Sequence, residues 1–274
     1  FAARIGITAH RKAADYTVAK QRLGMLHTAM DALLLLAMTL GGALAAIVAW
    51  TETVPVGPIA RDVLLFVVAG VVYGAVGLPF SWYHTFRIEE RFGFNRMTLK
   101  LWLADLAKGL AVAAALGLPL LVLVLWLMRA AGTYWWLWAW GAWMAFQVLI
   151  LVLYPTVIAP LFNKFTSMGE SAARARVEAL LARCGFRSAG LFVMDGSKRS
   201  SHGNAYFTGF GRAKRIVFFD TLLDRLAPDE VEAVLAHELG HYRLRHVAKR
   251  VAWSAALSLA VLALLAWLAR EPWF

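Results

Sequence analysis

Five apolar runs limit what this chain can fold into. Residues 25–50, 63–82, 101–128, 134–158 and 251–269 each come close to or exceed the ~20 residues a helix needs to cross the hydrocarbon core of a bilayer. In lipid, backbone N–H and C=O groups must be satisfied within the segment, so these runs read as transmembrane helices. The composition agrees: 61% of the 274 residues are hydrophobic and 16% charged, with a mean hydropathy of +0.62. Trp50, Trp82, Trp126, Trp135, Trp136 and Trp267 sit near the run ends, where interfacial aromatics collect. The expected fold class is mainly α: a polytopic membrane helical bundle with five spans, plus an extramembrane segment holding a small β-hairpin or sheet.

Loop charges set the expected orientation. The first 24 residues carry Arg4, Arg11, Lys12, Lys20 and Arg22 against Asp15, and the loop 85–100 carries Arg87, Arg91, Arg96 and Lys100. The loops 51–62 and 129–133 hold one arginine each. Lys and Arg favour the cytoplasmic side, so alternation through the spans places the long segment 159–250 in the cytoplasm. The same rule accounts for the net charge of +11, with the lipid bilayer as partner and no nucleic acid. Three regions follow: a four-span membrane region (1–158), a cytoplasmic segment (159–250), and a fifth span with the C-terminal residues (251–274).

A few polar groups interrupt the runs: His27, Asp31, Asp105, Lys108 and Gln147. Such residues usually face a bundle interior or a wet cavity. Asp105 and Lys108, three apart, can pair on one helix face or line a chamber. His27 and His84 lie near span ends and read as interfacial. Cys184 is the single cysteine, which excludes an intrachain disulfide, and its amphipathic context predicts a small buried hydrophobe.

The chemistry gathers in residues 228–241. This stretch contains H-E-x-x-H as His237, Glu238 and His241. On an α-helix, residues i and i+4 share a face, so both imidazoles can reach one metal ion, and neutral imidazole suits Zn2+. Glu238 lies beside that face, where a carboxylate can accept a proton from an attacking water. Helix formation is predicted here because Pro228 suits a first turn and Asp229, Glu230 and Glu232 suit the positive end of the helix. Val231, Val234, Leu235, Leu239 and Tyr242 make its apolar stripe.

Upstream, Ser167-x-x-Glu170 predicts a capping box. It would open a helix with Ala173, Val177, Leu180, Leu181 and Cys184 on one face and Gly185 at its end. Residues 191–194, 204–208 and 215–219 read as short strands, the last two joined through Gly209, Phe210, Gly211, Arg212 and Lys214. The stretch 200–207, with His202, Asn204 and Ala205, is the expected substrate-binding edge, since zinc proteases commonly hold an extended peptide as an added strand.

Taken together, Lys198-Arg199-Ser200-Ser201-His202-Gly203-Asn204-Ala205-Tyr206-Phe207, the run 215–223 and His237-Glu238-Leu239-Gly240-His241 resemble signatures of the CAAX prenyl protease type I family. Glu89-Glu90-Arg91-Phe92-Gly93-Phe94-Asn95-Arg96 and Pro160-Leu161-Phe162-Asn163-Lys164-Phe165 are also similar to pieces of it. The resemblance implies seven spans around an intramembrane chamber and zinc-dependent endopeptidase cleavage near a C-terminal CAAX sequence. The substrate is expected to be a peptide or protein, prenylated in the original cases. It further implies His237 and His241 as metal ligands, Glu238 as general base, and Asn204 as a holder of the substrate backbone or a stabiliser of the oxyanion. The family's third ligand is a downstream glutamate. Here the one carboxylate after Glu238 is Glu271, which the topology puts on the opposite membrane face. The third ligand is therefore expected beyond residue 274, and the first and last of the seven spans are expected outside this sequence. A chain of this extent is expected to hold zinc weakly and to be inactive alone.

Composition rich in Ala, Leu and Arg suggests a bacterial inner membrane, with the endoplasmic reticulum as the counterpart in a eukaryote. Two other readings share the zinc helix: an HtpX-type quality-control protease, and a non-catalytic membrane chaperone or scaffold retaining a relic site. The several spans before the zinc helix and the Glu-Glu-Arg-Phe-Gly-Phe-Asn loop argue against the HtpX type.

Overall fold

In the computed structural model, which describes residues 6–186, 188–208 and 215–272, the apolar runs are helices. Three of them, Pro58–Glu89, Leu99–Ala130 and His246–Leu268, are long and apolar enough to cross a membrane, the first of them ending in a π-helical turn. A fourth, Gly132–Phe162, is assembled from several helical types. The first run departs from expectation, because it is two helices rather than one. Helix α1 (Ile7–Thr39) and α2 (Ala43–Thr53) meet at a 54° bend. The cause is local: Gly42 takes φ +76°, a left-handed conformation that ends one helix and restarts the chain in a new direction.

The chain divides into two compact units, Phe1–Met97 and Thr98–Phe274. In the first, α3 (Pro58–Tyr83) runs into a π-helical turn, His84–Glu89. Glu89 accepts a hydrogen bond from the Tyr16 hydroxyl of α1 and has His84 Nε2 at 3.6 Å. Tyr16 also meets the edges of Phe92 and Phe94. His27 stacks on Phe80 and lies 3.7 Å from Asp31.

The second unit contains α4 (Leu99–Ala130) and α5 (Trp135–Leu153), which continues through a π-helical turn, Tyr154–Ile158, into α6 (Ala159–Phe162). Pro155 and Pro160, which cannot donate to the helical ladder, account for the altered winding there. The last span, α10 (His246–Leu268), packs on α5. Polar groups in this contact are matched: Gln147 Nε2 donates to Ser254 Oγ at 3.1 Å and Trp140 Nε1 to the Ala255 carbonyl at 3.0 Å.

Between α6 and α10 lies the extramembrane layer. Four short strands, β1 (Phe165–Ser167), β2 (Leu191–Met194), β3 (Ala205–Thr208) and β4 (Arg215–Phe219), form a mixed sheet in the order β1-β2-β4-β3. β2 and β4 are parallel and the other two pairings antiparallel. Alternation sends Leu191, Ile216, Phe218 and Ala205 to one face. There they form a core with Val177, Leu180 and Leu181 of α7 (Ala172–Arg183) and Val231, Leu235 and Leu239 of α9 (Pro228–Arg243). A short helix, α8 (Asp220–Leu223), links β4 towards α9 and adds Leu222.

Strands 191–194 and 215–219 stand where the sequence pattern put them, while β1 was not anticipated. The expected turn through Gly209, Phe210, Gly211, Arg212 and Lys214 lies outside the described residues, as do Arg4 and the side chain of Tyr242. The capping box is corrected. Ser167 is in β1, and α7 is capped by Ser171, whose hydroxyl accepts from Arg174 N at 3.2 Å. Gly185 does end the helix, at φ +62°. Cys184 is exposed rather than buried, because it caps α7 on the side away from the core.

Candidate metal centre

The zinc-type motif sits on α9, whose two faces have different tasks. Val231 and Leu235 are fully buried against the sheet and α7, which fixes the helix in rotation. His237 and His241 consequently fall on the opposite, exposed face, with Glu238 half-buried between the two environments. The start of the helix is closed by Glu230, whose carboxylate accepts the Ala227 N–H at 2.8 Å, and Pro228 occupies the first turn as expected.

His237 Nε2 and His241 Nε2 stand 3.2 Å apart, their rings nearly perpendicular. Two nitrogens each bound at 2.0–2.1 Å to one tetrahedral ion would be separated by about 3.3 Å. The pair therefore fits the two-imidazole half of a zinc site. One ligand atom from each of His237, Glu238 and His241 lies within 4.8 Å of the others. Among the described residues this is the one such grouping, and Glu271 is not part of it.

Next to α9 runs the strand expected to bind substrate. β3 packs against α9 and is the terminal strand of the sheet. The Asn204 carbonyl accepts from Phe219 N at 2.9 Å, so Asn204 and Tyr206 direct their backbone groups towards β4. Ala205 and Phe207, at alternate positions, direct theirs away from the sheet. The Ala205 side chain is buried in the core, so its backbone is what it can offer a peptide. Asn204 Oδ1 accepts the Ala205 N–H at 2.8 Å, leaving the carboxamide NH2 as the donor this exposed side chain can present. His202 is exposed, and its carbonyl accepts from Thr221 Oγ1 at 2.8 Å, which ties the strand entry to α8. Burial, and secondarily the charge of nearby Tyr154, push the Tyr206 phenol up to about 12, so it is a neutral group at any physiological pH.

Sequence reasoning missed the anchor of this strand. Arg199 Nε and Nη2 bind the two oxygens of Asp105 at 2.7 and 2.9 Å. Its remaining donors reach Asn163 Oδ1 and the Phe162 carbonyl, each at 2.7 Å. The guanidinium thus fastens the loop before β3 to α4 and to the end of α6. Asp105 and Lys108 do not need each other: Lys108 Nζ donates to the Leu161 carbonyl at 2.9 Å. A carboxylate inside an apolar run was the available signal, since it demanded a cationic partner, but nothing in local spacing pointed 94 residues ahead.

Comparison with known proteins agrees with the motifs. Residues 1–164 match the family model described as CAAX prenyl protease N-terminal, five membrane helices, and residues 168–271 match that of Peptidase family M48. The chain is 45% identical over 170 residues to the CAAX prenyl protease 1 homolog of Oryza sativa subsp. japonica, covering 62% of this chain and 40% of that protein. It is 42% identical over 180 residues to CAAX prenyl protease 1 of Saccharomyces cerevisiae, covering 65% and 40%. The crystal structure of S. mikatae Ste24p superposes with a TM-score of 0.85 at 35% identity, over 92% of this chain and 60% of that one. The chain thus spans about two-fifths of the length of these curated relatives. Its span-forming helices and these matches make it an integral, multi-pass membrane protein.

Proposed function

We propose, from the premise that this chain belongs to the CAAX prenyl protease family of M48 peptidases, that it carries the catalytic apparatus of a membrane-embedded zinc metalloendopeptidase. The substrates would be CAAX-type, prenylated or other membrane-associated peptides, cut near their C-termini. The observation that carries this reading is the 3.2 Å convergence of His237 Nε2 and His241 Nε2 beside Glu238, next to a terminal strand. When bound, zinc would polarise the scissile carbonyl and favour the anionic transition state.

The residues of this chain would do the rest. The Ala205 carbonyl and the Phe207 backbone would pair with the substrate as an added strand, which tolerates many side chains. The Asn204 carboxamide would donate to the substrate backbone or to the carbonyl oxygen as negative charge develops there. Glu238 would take the proton of the attacking water and pass it to the leaving amine. Arg199 would hold the approach to β3 against the membrane helices so that these groups meet the peptide in register. In this reading residues 159–250 are the cytoplasmic catalytic segment, 1–158 the membrane region and 251–274 the fifth span with the chain's last residues.

The test is Glu238→Gln in the full-length protein. The amide keeps the shape of the side chain but cannot accept a proton, so zinc content should be unchanged while turnover of a CAAX peptide falls by about 10²–10⁴-fold. Undiminished turnover would remove Glu238 from the mechanism. An equal loss of zinc would make it a ligand instead.

A further inference from the structure

His246 is five residues beyond His241, a spacing that does not put two side chains together on one helix. At 3.6 residues per turn, positions i and i+5 diverge by about 140° around the axis. Yet His246 Nδ1 lies 2.7 Å from His241 Nδ1, with ring centroids 4.9 Å apart. The backbone between them explains how. α9 ends at Arg243 and α10 begins at His246, and Arg245 between them adopts φ +53°, ψ +38°. Among the described residues Arg245 is the one non-glycine with positive φ, a conformation that L side chains adopt reluctantly. Arg245 makes no side-chain capping bond there. The strained residue turns the chain so that the first side chain of the last span faces back onto the motif helix.

The two nitrogens of an imidazole ring point in different directions. His241 Nε2 faces His237, and His241 Nδ1 faces His246. His246 is therefore on the far side of the His241 ring from the point where the two Nε2 atoms converge, and is not placed to be a third ligand through this contact. Ligation through Nε2 requires the Nδ1–H tautomer of His241, which makes Nδ1 a donor and His246 Nδ1 its acceptor. An acceptor on the outer nitrogen fixes tautomer and ring orientation and raises the basicity of the ligating one.

Resting on the zinc reading of His237 and His241, we propose that His246 is a positioning residue, held by the left-handed turn at Arg245, that sets the tautomer and orientation of His241 for metal binding. It couples the last span directly to the metal helix.

The test is metal titration of the detergent-purified full-length protein, which carries the expected third ligand, against a chromophoric chelator, using Zn2+ and, for its visible spectrum, Co2+. His246→Ala should weaken zinc binding about 10–100-fold and alter the Co2+ absorption. His246→Asn, whose Oδ1 can stand near the place of Nδ1 and accept the same hydrogen bond, should restore most of the affinity. A general loss of packing would not be rescued in this way. Amide exchange across α9 in the metal-free state should be the same in both variants. His237→Ala separates the two ideas. If it abolishes binding while His246→Ala binds as tightly as wild type, the role of His246 is overturned and the zinc reading stands. If wild type binds no more metal than His237→Ala, the zinc reading and this inference fall together.

Discussion

Phe218 and Leu110 are both large apolar residues, and they are kept from water by different means. Phe218 in β4 is 0% exposed, enclosed by the sheet and by α7 and α9, whereas Leu110 in α4 is 64% exposed. The contrast is general. The spans bury between 0 and 6% of their most apolar windows inside the protein, while the extramembrane layer has a contiguous core. One region gains its hydrophobic stabilisation from its own packing, and the other leaves it to lipid. The candidate metal centre stands on the first kind of region, so its rigidity depends on a small core of about a dozen side chains.

The largest expected effect tests that division. Phe218→Ala should cost about 3–5 kcal/mol, because a fully enclosed ring leaves a cavity the short strands cannot close. Hydrogen exchange should show β4 and α9 opening together. In the same assay Leu110→Ala should change stability by no more than about 0.5 kcal/mol, since lipid replaces the missing atoms. A comparable loss at Leu110 would mean that α4 packs against protein where this structure shows it bare.

A carboxylate in the membrane region should be the next most sensitive point. Asp105 and Arg199 have side chains 15% and 19% exposed, and each satisfies the other bidentately. Arg199→Met should cost about 3 kcal/mol, the toll of a largely buried charge left alone. Adding Asp105→Asn should recover most of it. No recovery in the double variant would show that the bonds from Arg199 to Asn163 and Phe162, rather than the charge pair, hold the loop.

How far the sequence could be read follows the same division. Span positions and the helix carrying H-E-x-x-H were legible because their signals are local: apolar length in one case, i/i+4 spacing and a charged first turn in the other. β2 and β4 were legible for the same reason. What stayed hidden depended on contacts distant in sequence or on one backbone angle. The bend at Gly42 lay within an unbroken apolar run. The Arg199–Asp105 pair joins residues 94 apart. His246 reaches His241 because Arg245 is left-handed, and no pattern of residue types announces that. Ser171 rather than Ser167 caps α7 because β1, an edge strand of three residues, claims Ser167 for the sheet.

The smallest effect expected sharpens the contrast between the carboxylates. Asp220 lies in the extramembrane layer and is served by neighbours. Its burial acts to raise the carboxyl, but hydrogen bonds from the Ser197 hydroxyl and from the backbone N–H groups of Ser197 and Thr221 outweigh this and hold it below the usual carboxylate range. A depressed folded value means that the ionised form stabilises the fold. The contribution is present above the unfolded value of ~3.9 and is lost as pH falls through the lower, folded one. Ser197→Ala should cost about 1 kcal/mol at neutral pH, read as faster amide exchange in residues 196–200. The difference from wild type should shrink in acid as Asp220 becomes protonated. A cost independent of pH would assign the effect to the turn geometry of Ser197 rather than to the carboxylate.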